Sequence, residues 1–422
     1  MDFAQRLERF LRPGLPSLFA FDSAARVFDE YKGLTRGRDL DLSGLSHELL
    51  DRLGPQQWPF PEGATQGTER LYVHGIFPTA NGRARFVSDP YVAAKEQRDA
   101  RFPLTLITGR LRDQWHGMSR TGTAAQLFGH VSEALLSLHP DELRRQRLRD
   151  GELVNLKSRR GSVIVAVTGD DSVRPGQAFL PMHFGDRFLK GGVNAVTQPA
   201  FDPLSKQPEL KHSGVRLEPV QLPWQLFVLI EGDVQAHFRA LRPLCQALAY
   251  VSLSLTGRER PALVIRAAHA QAPQAALLQA IDRQLQLDTG PVLAYDDLRR
   301  AIGKRVRIEQ GRIIAIRLSG ETLAQHWLHE LWQQGRADEQ LRRWLLAPMS
   351  APPDASGLGG QQERILCNCR NVSHSAVCAG IAQGLDMEQL KQQLGCGSQC
   401  GSCVPEIKRL LAACVQPVVA LE

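Results

Sequence analysis

The chain has 422 residues, of which 43% are apolar and 23% are charged, and its formal net charge is +7. These values exclude a disordered or fibrous protein and allow about two to four globular domains. No apolar run is long enough to cross a membrane, and the N-terminal residues form no apolar signal core, so we predict a cytoplasmic protein without a membrane partner. The positive charge forms no basic stripe with interleaved aromatic residues, which predicts no nucleic-acid partner.

Residues 1–95 are predicted to form helices, an irregular stretch and one hairpin, and to be a connector to a larger assembly. Apolar residues at helical spacing predict a helix at the N-terminus. Asp22 is the predicted cap of the helix that follows. The turn-forming pair Asn81-Gly82 separates two short apolar runs and predicts a hairpin within residues 71–87.

The next stretch is dense in strand-like runs separated by turn residues. The predicted strands are residues 104–107, 152–157, 162–167 and 177–181. Pro140, followed by two acidic residues, predicts a single helix among them. Strands at this spacing with one helix predict a small barrel, which we assign to residues 96–220.

Residues 221–347 alternate between helices and strands and are predicted to form a small α/β connector domain. A turn at Gln310-Gly311 predicts a hairpin over residues 306–318. Ser319 is the predicted cap of a helix that starts with Glu321. The composition then changes to Pro, Gly and Ser, which predicts a linker over residues 348–362.

Cysteines dominate the predicted last domain, residues 363–415. Cys367 and Cys369 form a CxC pair, and Cys400 and Cys403 form a CxxC pair. In a reducing compartment, four thiolates on short loops indicate a metal centre rather than disulfides. Spacing alone leaves two centres open, a [2Fe–2S] cluster and a structural zinc ion, with CxC favouring the cluster.

The segments around these cysteines, residues 366–373 and 395–405, resemble the bacterioferritin-associated-ferredoxin-like domains. The resemblance implies a small helical domain that binds a [2Fe–2S] cluster. It also implies that the four cysteines of the CxC and CxxC pairs are the cluster ligands. We interpret Cys378, Cys396 and Cys414 as packing residues.

A second candidate site is the loop 108–117, which leaves the first predicted barrel strand. A loop with free N–H groups, arginines and hydroxyls can hold phosphates. Taken alone, these residues equally predict a polar loop around a packed tryptophan. The residue types therefore leave the function of this loop open.

This loop resembles part of the dinucleotide-binding domain of the molybdopterin oxidoreductases. Residues 150–154, 183–185 and 194–211 resemble later parts of the same domain, in the same order. The resemblance implies a double-psi β-barrel that contacts bis(molybdopterin guanine dinucleotide) with molybdenum. The implied contacts are Thr108, Gly109, Arg110, Leu111, Arg112, Asp113, Gln114, Trp115, His116, Gly117, Asn194 and Lys211.

The combination of the two domains resembles the bacterial assimilatory nitrate reductase catalytic subunits. We therefore expect a multidomain α+β protein with a double-psi β-barrel, a small α/β connector and a small helical [2Fe–2S] domain. The resemblance covers nearly the whole chain and is weakest over residues 220–345. Within residues 1–95, the runs 36–41, 54–59 and 82–86 resemble the connector at the end of the molybdopterin oxidoreductase catalytic domains. It implies electron donors such as ferredoxin, flavodoxin or an NADH-dependent reductase subunit.

No cysteine precedes Cys245, so nothing here resembles the front of those subunits, which carries a further cluster and the molybdenum ligand. We expect no catalytic residue in this chain and no nitrate reduction by it alone. It is interpreted as a truncated product, a fragment, or half of a split enzyme completed by an N-terminal nitrate reductase chain. The alternative is a non-catalytic cofactor-binding or electron-transfer module.

Overall fold

A computed structural model describes residues 2–88, 90–335, 339–351 and 364–415. The chain divides into two compact units, Met1–Val92 and Ala93–Glu422. Within the described residues, no helix combines the length and apolar character needed to cross a bilayer. Most of the predicted linker, residues 348–362, lies outside the described residues.

The first unit contains three short helices joined by turns. They are α1 (Asp2–Leu11), α2 (Ala24–Gly33) and α3 (His47–Leu53). The two predicted helices are confirmed, but the predicted cap of α2 is wrong. Ser23, not Asp22, has the extended backbone of a cap, and its hydroxyl accepts a hydrogen bond from the Arg26 N–H. Asp22 accepts a hydrogen bond from the Ser23 hydroxyl instead.

The hairpin predicted within residues 71–87 is wrong, although its turn exists. The Gly82 N–H donates to the Thr79 carbonyl at 3.0 Å, and no strand flanks this turn. Phe86 is 97% exposed. An isolated two-stranded ribbon is marginal without an apolar face to cover, and these apolar side chains find none.

The second unit begins with a closed six-stranded barrel, as predicted. Its strands are β1 (Leu104–Gly109), β2 (Leu135–Leu138), β3 (Leu153–Ser158), β4 (Ser162–Gly169), β5 (Gln177–Pro181) and β6 (Ser213–Pro219). Their order is β1-β5-β2-β4-β3-β6, with β1–β5 and β2–β4 parallel and the other neighbours antiparallel. Alternate residues of β3 are buried, as a strand with one face on a core requires. Helix α4 (Pro140–Gln146) begins at the predicted proline.

A six-stranded antiparallel sheet follows the barrel. Its strands are β7 (Trp224–Glu231), β8 (Tyr250–Thr256), β9 (Ala262–His269), β10 (Val292–Asp297), β11 (Ile302–Glu309) and β12 (Arg312–Ser319). They lie in the order β10-β11-β12-β7-β9-β8. The helices of this region are α5 (Val234–Cys245), α6 (Ala275–Gln284), α7 (Gln325–Gln334) and α8 (Glu339–Arg342). The predicted β11–β12 hairpin is confirmed.

The predicted start of α7 is wrong, because the predicted cap has another partner. The Ser319 hydroxyl donates to the Gly303 carbonyl across the sheet at 2.9 Å. Gly320 then adopts a φ of 80°, which turns the chain away, and α7 starts only at Gln325. Glu321, the predicted first helical residue, pairs instead with the buried Lys304.

One hydrophobic core extends from the barrel into the sheet. A barrel loop, the part of the β5–β6 connection around residues 188–190, lies along β8. There the Leu253 N–H donates to the Phe188 carbonyl at 2.7 Å and the Lys190 N–H donates to the Val251 carbonyl at 2.9 Å. Phe188 and Leu253 belong to the same buried cluster. The loop therefore acts as an additional strand-like edge on the sheet.

The last part of the unit is a small helical domain. It contains β13 (Ile365–Cys367), β14 (Val372–Ser373), α9 (His374–Ala382), α10 (Met387–Leu394) and α11 (Val404–Val415). Asp386 and Gln389 form a reciprocal capping box at the start of α10. Gly395 ends α10 with a φ of 74°. Of the two cysteine pairs, Cys367 ends β13 and the other three cysteines lie in turns between these elements.

Candidate functional site

The four predicted cluster cysteines come together in the helical domain. Cys367 ends β13 and Cys369 lies in the turn after it, while Cys400 and Cys403 lie just before α11. The Sγ atoms of Cys367 and Cys369 are 3.6 Å apart, and those of Cys369 and Cys400 are 3.5 Å apart. Cys403 also contacts Cys367 through its thiol. The arrangement is an all-sulfur donor set, which suits a thiolate-ligated iron centre.

Burial distinguishes the members of this set. Cys367 and Cys403 are each 1% exposed, whereas Cys400 is exposed. Burial, followed by the contact with Cys367, raises the pKa of the Cys403 thiol to about 12. A thiolate at this position therefore needs cations such as irons beside it. No group of three or more His, Cys, Asp or Glu side chains in the described residues has the geometry of a single-ion site.

The other cysteines of this domain have different partners. The Cys396 thiol is fully buried, and its Sγ lies 3.6 Å from the Leu390 carbonyl. Cys378 lies on α9 with its Sγ 3.6 Å from Nδ1 of His374. The side chain of Cys414 lies outside the described residues. The interpretation of these cysteines as packing residues stays a prediction.

The second candidate site starts where β1 leaves the barrel. The Thr108 hydroxyl donates to the Leu210 carbonyl at 2.7 Å, and Lys211 Nζ donates to the Thr108 carbonyl at 2.7 Å. The fold thus joins two predicted contacts, Thr108 and Lys211, that are distant in sequence. Packing requires a glycine at position 109, because a Cβ there would lie 2.5 Å from the ring of Phe179.

His183 makes hydrogen bonds to the loop 108–117 through both of its ring nitrogens. Its Nε2 accepts a hydrogen bond from the Leu111 N–H at 2.8 Å, and its Nδ1 donates to the His116 carbonyl at 2.6 Å. The ring therefore fixes both ends of residues 111–116. The His183-Phe184-Gly185 segment supported the sequence resemblance, but His183 was not among the predicted contacts.

Acidification is expected to weaken the hydrogen bonds by which His183 holds this loop. Burial lowers the pKa of His183 below 6.5, with a smaller lowering from the charges of His116 and Arg110, partly offset by the hydrogen bond to the His116 carbonyl. The stabilisation from neutral His183 is therefore complete above about pH 6.5 and declines as the pH falls, because the unfolded chain binds the proton more readily. Amide exchange at Leu111, corrected for intrinsic rates, should rise between about pH 7.5 and 5.5. His183→Gln should flatten this dependence, and equal protection at both pH values would contradict it.

Several predicted contacts are available to a ligand. Arg110, Trp115 and His116 are exposed on the loop, as are Asn194 and Lys211 beyond it. Gln114 is buried, and its Oε1 atom has no hydrogen-bond partner among the described residues. Two cations, an exposed indole and an exposed amide fit a phosphate-bearing nucleotide, since cations bind phosphate and aromatic faces stack on bases.

Arg112 and Asp113 face the helical domain. Arg112 Nη1 lies 2.9 Å from Glu406 Oε2, and Arg112 Nη2 donates to the Leu366 carbonyl at 3.0 Å. Asp113 Oδ2 accepts from the Asn368 amide at 3.1 Å. These two predicted dinucleotide contacts thus have protein partners in the cysteine-bearing loop.

An open cavity of about 520 Å³ lies elsewhere on the barrel. It is lined by Lys95, Glu96, Gln97, Arg159, Arg160, Gln198, Pro199 and Ala200. Glu96 pairs with Arg159 at 3.1 Å and also with Arg160, so both arginines of the lining already have an acidic partner. None of the predicted dinucleotide contacts lines this cavity. Asn194 lies four residues before Gln198, which does line it.

Comparison with known families identifies two domains. Residues 104–214 match the Molydopterin dinucleotide binding domain, and residues 365–413 match the BFD-like [2Fe-2S] binding domain. The chain therefore contains a molybdopterin dinucleotide-binding barrel and a [2Fe–2S]-binding helical domain, as the resemblances implied. The second match decides between the two metal centres left open by the cysteine spacing, in favour of the cluster.

Curated relatives extend the similarity beyond these domains. A nitrate reductase of Klebsiella oxytoca is 30% identical over 95% of this chain and 44% of its own length. A nitrate reductase of Synechocystis is 38% identical over 50% of this chain and 30% of its own length. The assimilatory nitrate reductase catalytic subunit of Bacillus subtilis is 30% identical over 48% of this chain and 28% of its own length. The chain spans less than half the length of these relatives.

Proposed function

We propose that this chain, which joins a molybdopterin dinucleotide-binding barrel to a [2Fe–2S] domain, is the C-terminal part of an assimilatory nitrate reductase. The observation that carries the proposal is this domain pair within a match to a nitrate reductase along 95% of the chain. The reaction converts nitrate, two electrons and two protons into nitrite and water. When bound, the molybdenum of the pterin cofactor supplies the oxygen-atom transfer.

The role of this chain is to hold two cofactors in place. We propose Cys367, Cys369, Cys400 and Cys403 as the cluster ligands, supported by their short sulfur–sulfur distances. Electrons from the donor would arrive at the cluster through its exposed side, at Cys400. Buried Cys367 and Cys403 would anchor the cluster in the domain core.

We propose that the loop 108–117, with Asn194 and Lys211, holds the dinucleotide. Arg110 and Lys211 would neutralise its phosphates, and Trp115 offers an aromatic face to a base. Gly109 and Gly117 would contribute backbone rather than side chains. The proposed domain limits are 1–95, 96–220, 221–347 and 363–415 with a linker at 348–362.

We also propose the cytoplasm as the compartment, because none of the seven cysteines with described side chains is in a disulfide. The proposed electron donor is a ferredoxin, a flavodoxin or an NADH-dependent reductase subunit. The proposed complement is a chain that supplies the N-terminal half found in the longer relatives. The donor classes follow from the resemblance to the assimilatory nitrate reductases, and the complementing chain follows from the greater length of the relatives.

Nitrite formation tests the proposed function. The chain is co-expressed with the N-terminal portion of a related nitrate reductase, and nitrite is measured with a reduced chemical donor. We expect nitrite from the complemented pair and none from the chain alone. Nitrite production by the chain alone, or none by a pair in which both cofactors are loaded, would contradict the proposal.

Loss of one phosphate-binding cation should weaken dinucleotide binding. Arg110→Ala removes an exposed guanidinium, and a charge-assisted hydrogen bond contributes about 1.5–3 kcal/mol, so binding should weaken by about tenfold or more. The probe is purified molybdopterin guanine dinucleotide, followed by pterin fluorescence. Arg144→Ala is the matched control, because Arg144 lies on α4 with a 75% exposed side chain. Equal affinities for both variants would remove Arg110 from the site.

A further inference from the structure

The loop that carries the CxC cysteines is held from outside its own domain. His130 Nε2 lies 2.7 Å from the Ile365 carbonyl oxygen, and Arg112 Nη2 donates to the Leu366 carbonyl at 3.0 Å. Arg258, in the β8–β9 loop, donates to the Asn368 carbonyl. The barrel and the sheet thus contact three carbonyls within a four-residue stretch. Such bonds hold the loop in one orientation, because each carbonyl has a fixed direction.

The centre of this contact is the residue between the two cysteines. Asn368 is only 7% exposed, and its amide donates to Asp113 Oδ2 at 3.1 Å. The same carboxylate atom contacts Nδ1 of His130. Asp113 is itself nearly buried, with a side chain 6% exposed. A buried carboxylate that loses its hydrogen-bond partners costs free energy, so Asn368 and His130 are held in contact with Asp113.

A glycine makes the approach of the two domains possible. A Cβ on Gly129 would lie 3.1 Å from Oδ1 and 3.5 Å from Nδ2 of Asn368. Gly129 has φ −65° and ψ −31°, a conformation open to every residue, so no backbone requirement explains this glycine. Close packing against Asn368 does explain it.

We propose that Asp113, His130 and Gly129 form a docking seat for Asn368, and that this seat positions the [2Fe–2S] cluster beside the dinucleotide-binding loop. The inference rests on the proposed function, and it adds positioning residues to it. Asp113 and Arg112 belong to the loop 108–117, so the seat and the dinucleotide site share one segment. When bound, the cluster would supply electrons one at a time toward the dinucleotide side, and two of them would be needed to reduce one nitrate to nitrite.

The orientation follows from burial. Asn368, between the two CxC cysteines, contacts the loop 108–117 of the barrel, while Cys400 of the other pair is exposed. A donor protein can therefore reach Cys400 from the solvent. Because electron tunnelling weakens steeply with distance, displacement of the CxC loop slows transfer without changing the ligands.

A wedge at Gly129 tests the seat without removing any hydrogen-bonding group. Gly129→Leu should raise amide exchange over residues 365–370 by about tenfold or more, the loss of one bond to a charged group. Gly129→Ala should give a smaller rise. Visible absorbance per chain should stay at the wild-type value, because no ligand is changed. Gly33→Leu is the control, since a Cβ there meets nothing within 4 Å.

Asp113→Ala is a second variant that removes the shared acceptor instead. It should produce the same rise in exchange over residues 365–370 with the absorbance retained. Unchanged exchange in both Gly129→Leu and Asp113→Ala, or loss of colour in both, would overturn the seat.

The complemented enzyme supplies the functional readout. With a donor that reduces the cluster, Gly129→Leu should lower kcat for nitrite formation by about tenfold, while KM for nitrate stays unchanged. A raised KM with wild-type kcat would overturn the positioning role. If the wild-type pair forms no nitrite, the proposed function fails, and the exchange measurement on the chain alone still decides the docking.

Discussion

Replacing Cys400 by Ala is expected to abolish the visible absorbance of the purified protein and to reduce its iron content from about two per chain to near zero. A [2Fe–2S] cluster needs four protein ligands, and the exposed Cys400 is one of the proposed four. Its exposure matters for the interpretation, because removing an exposed side chain creates no core cavity. The folded domain should therefore survive without its cluster.

The matched control is Cys378→Ala in the same domain. Cys378 contacts His374 on its own helix and none of the four proposed ligands in the described residues. This variant should retain both its colour and its iron. A Cys400→Ala protein with wild-type absorbance would show that another group serves as the fourth ligand.

Arg317→Ala should cause the largest loss of stability in the sheet. Arg317 on β12 makes a bidentate ion pair with Asp282 on α6, at 2.9 Å and 2.7 Å, and also donates to Ser319 at 2.8 Å. The Arg317 side chain is 3% exposed. Its removal leaves a carboxylate buried without a partner, so the free energy of unfolding should fall by about 3–5 kcal/mol.

Urea unfolding measures this change, with two comparison variants. Arg305→Ala breaks the more exposed pair with Asp296 and should cost less than about 1 kcal/mol. Arg317→Met combined with Asp282→Leu removes both charges and should recover most of the stability. Equal decreases in the free energy of unfolding for Arg305→Ala and Arg317→Ala would show that the buried pair stabilises the fold no more than the exposed one.

Local turn signals explain the parts of the fold that were predicted. Asp150-Gly151 and Gln310-Gly311 each precede a strand in the structure, because glycine there adopts a positive φ. Such a signal fails where a long-range contact competes. Ser319 has the right residue type for a cap, but the Gly303 carbonyl on the neighbouring strand takes its hydroxyl.

The candidate sites also contain residues that local sequence or resemblance predicts and residues that only the fold reveals. The cysteine pairs were recognisable because their spacing is local, and the loop 108–117 because of family resemblance. His130 and Arg258 gave no local signal. Each meets a carbonyl more than 100 positions away in sequence, at Ile365 and Asn368. Only the closed fold brings these atoms together.

The barrel loop along β8 has a consequence for dividing the protein into separately produced pieces. An edge strand with free N–H and carbonyl groups recruits other strands, and here the backbone around Phe188 and Lys190 occupies that edge of the sheet. A sheet expressed without the barrel would uncover both β8 and the apolar side chains that meet Phe188. Such a piece should aggregate, whereas a cut between the sheet and the helical domain leaves this edge protected.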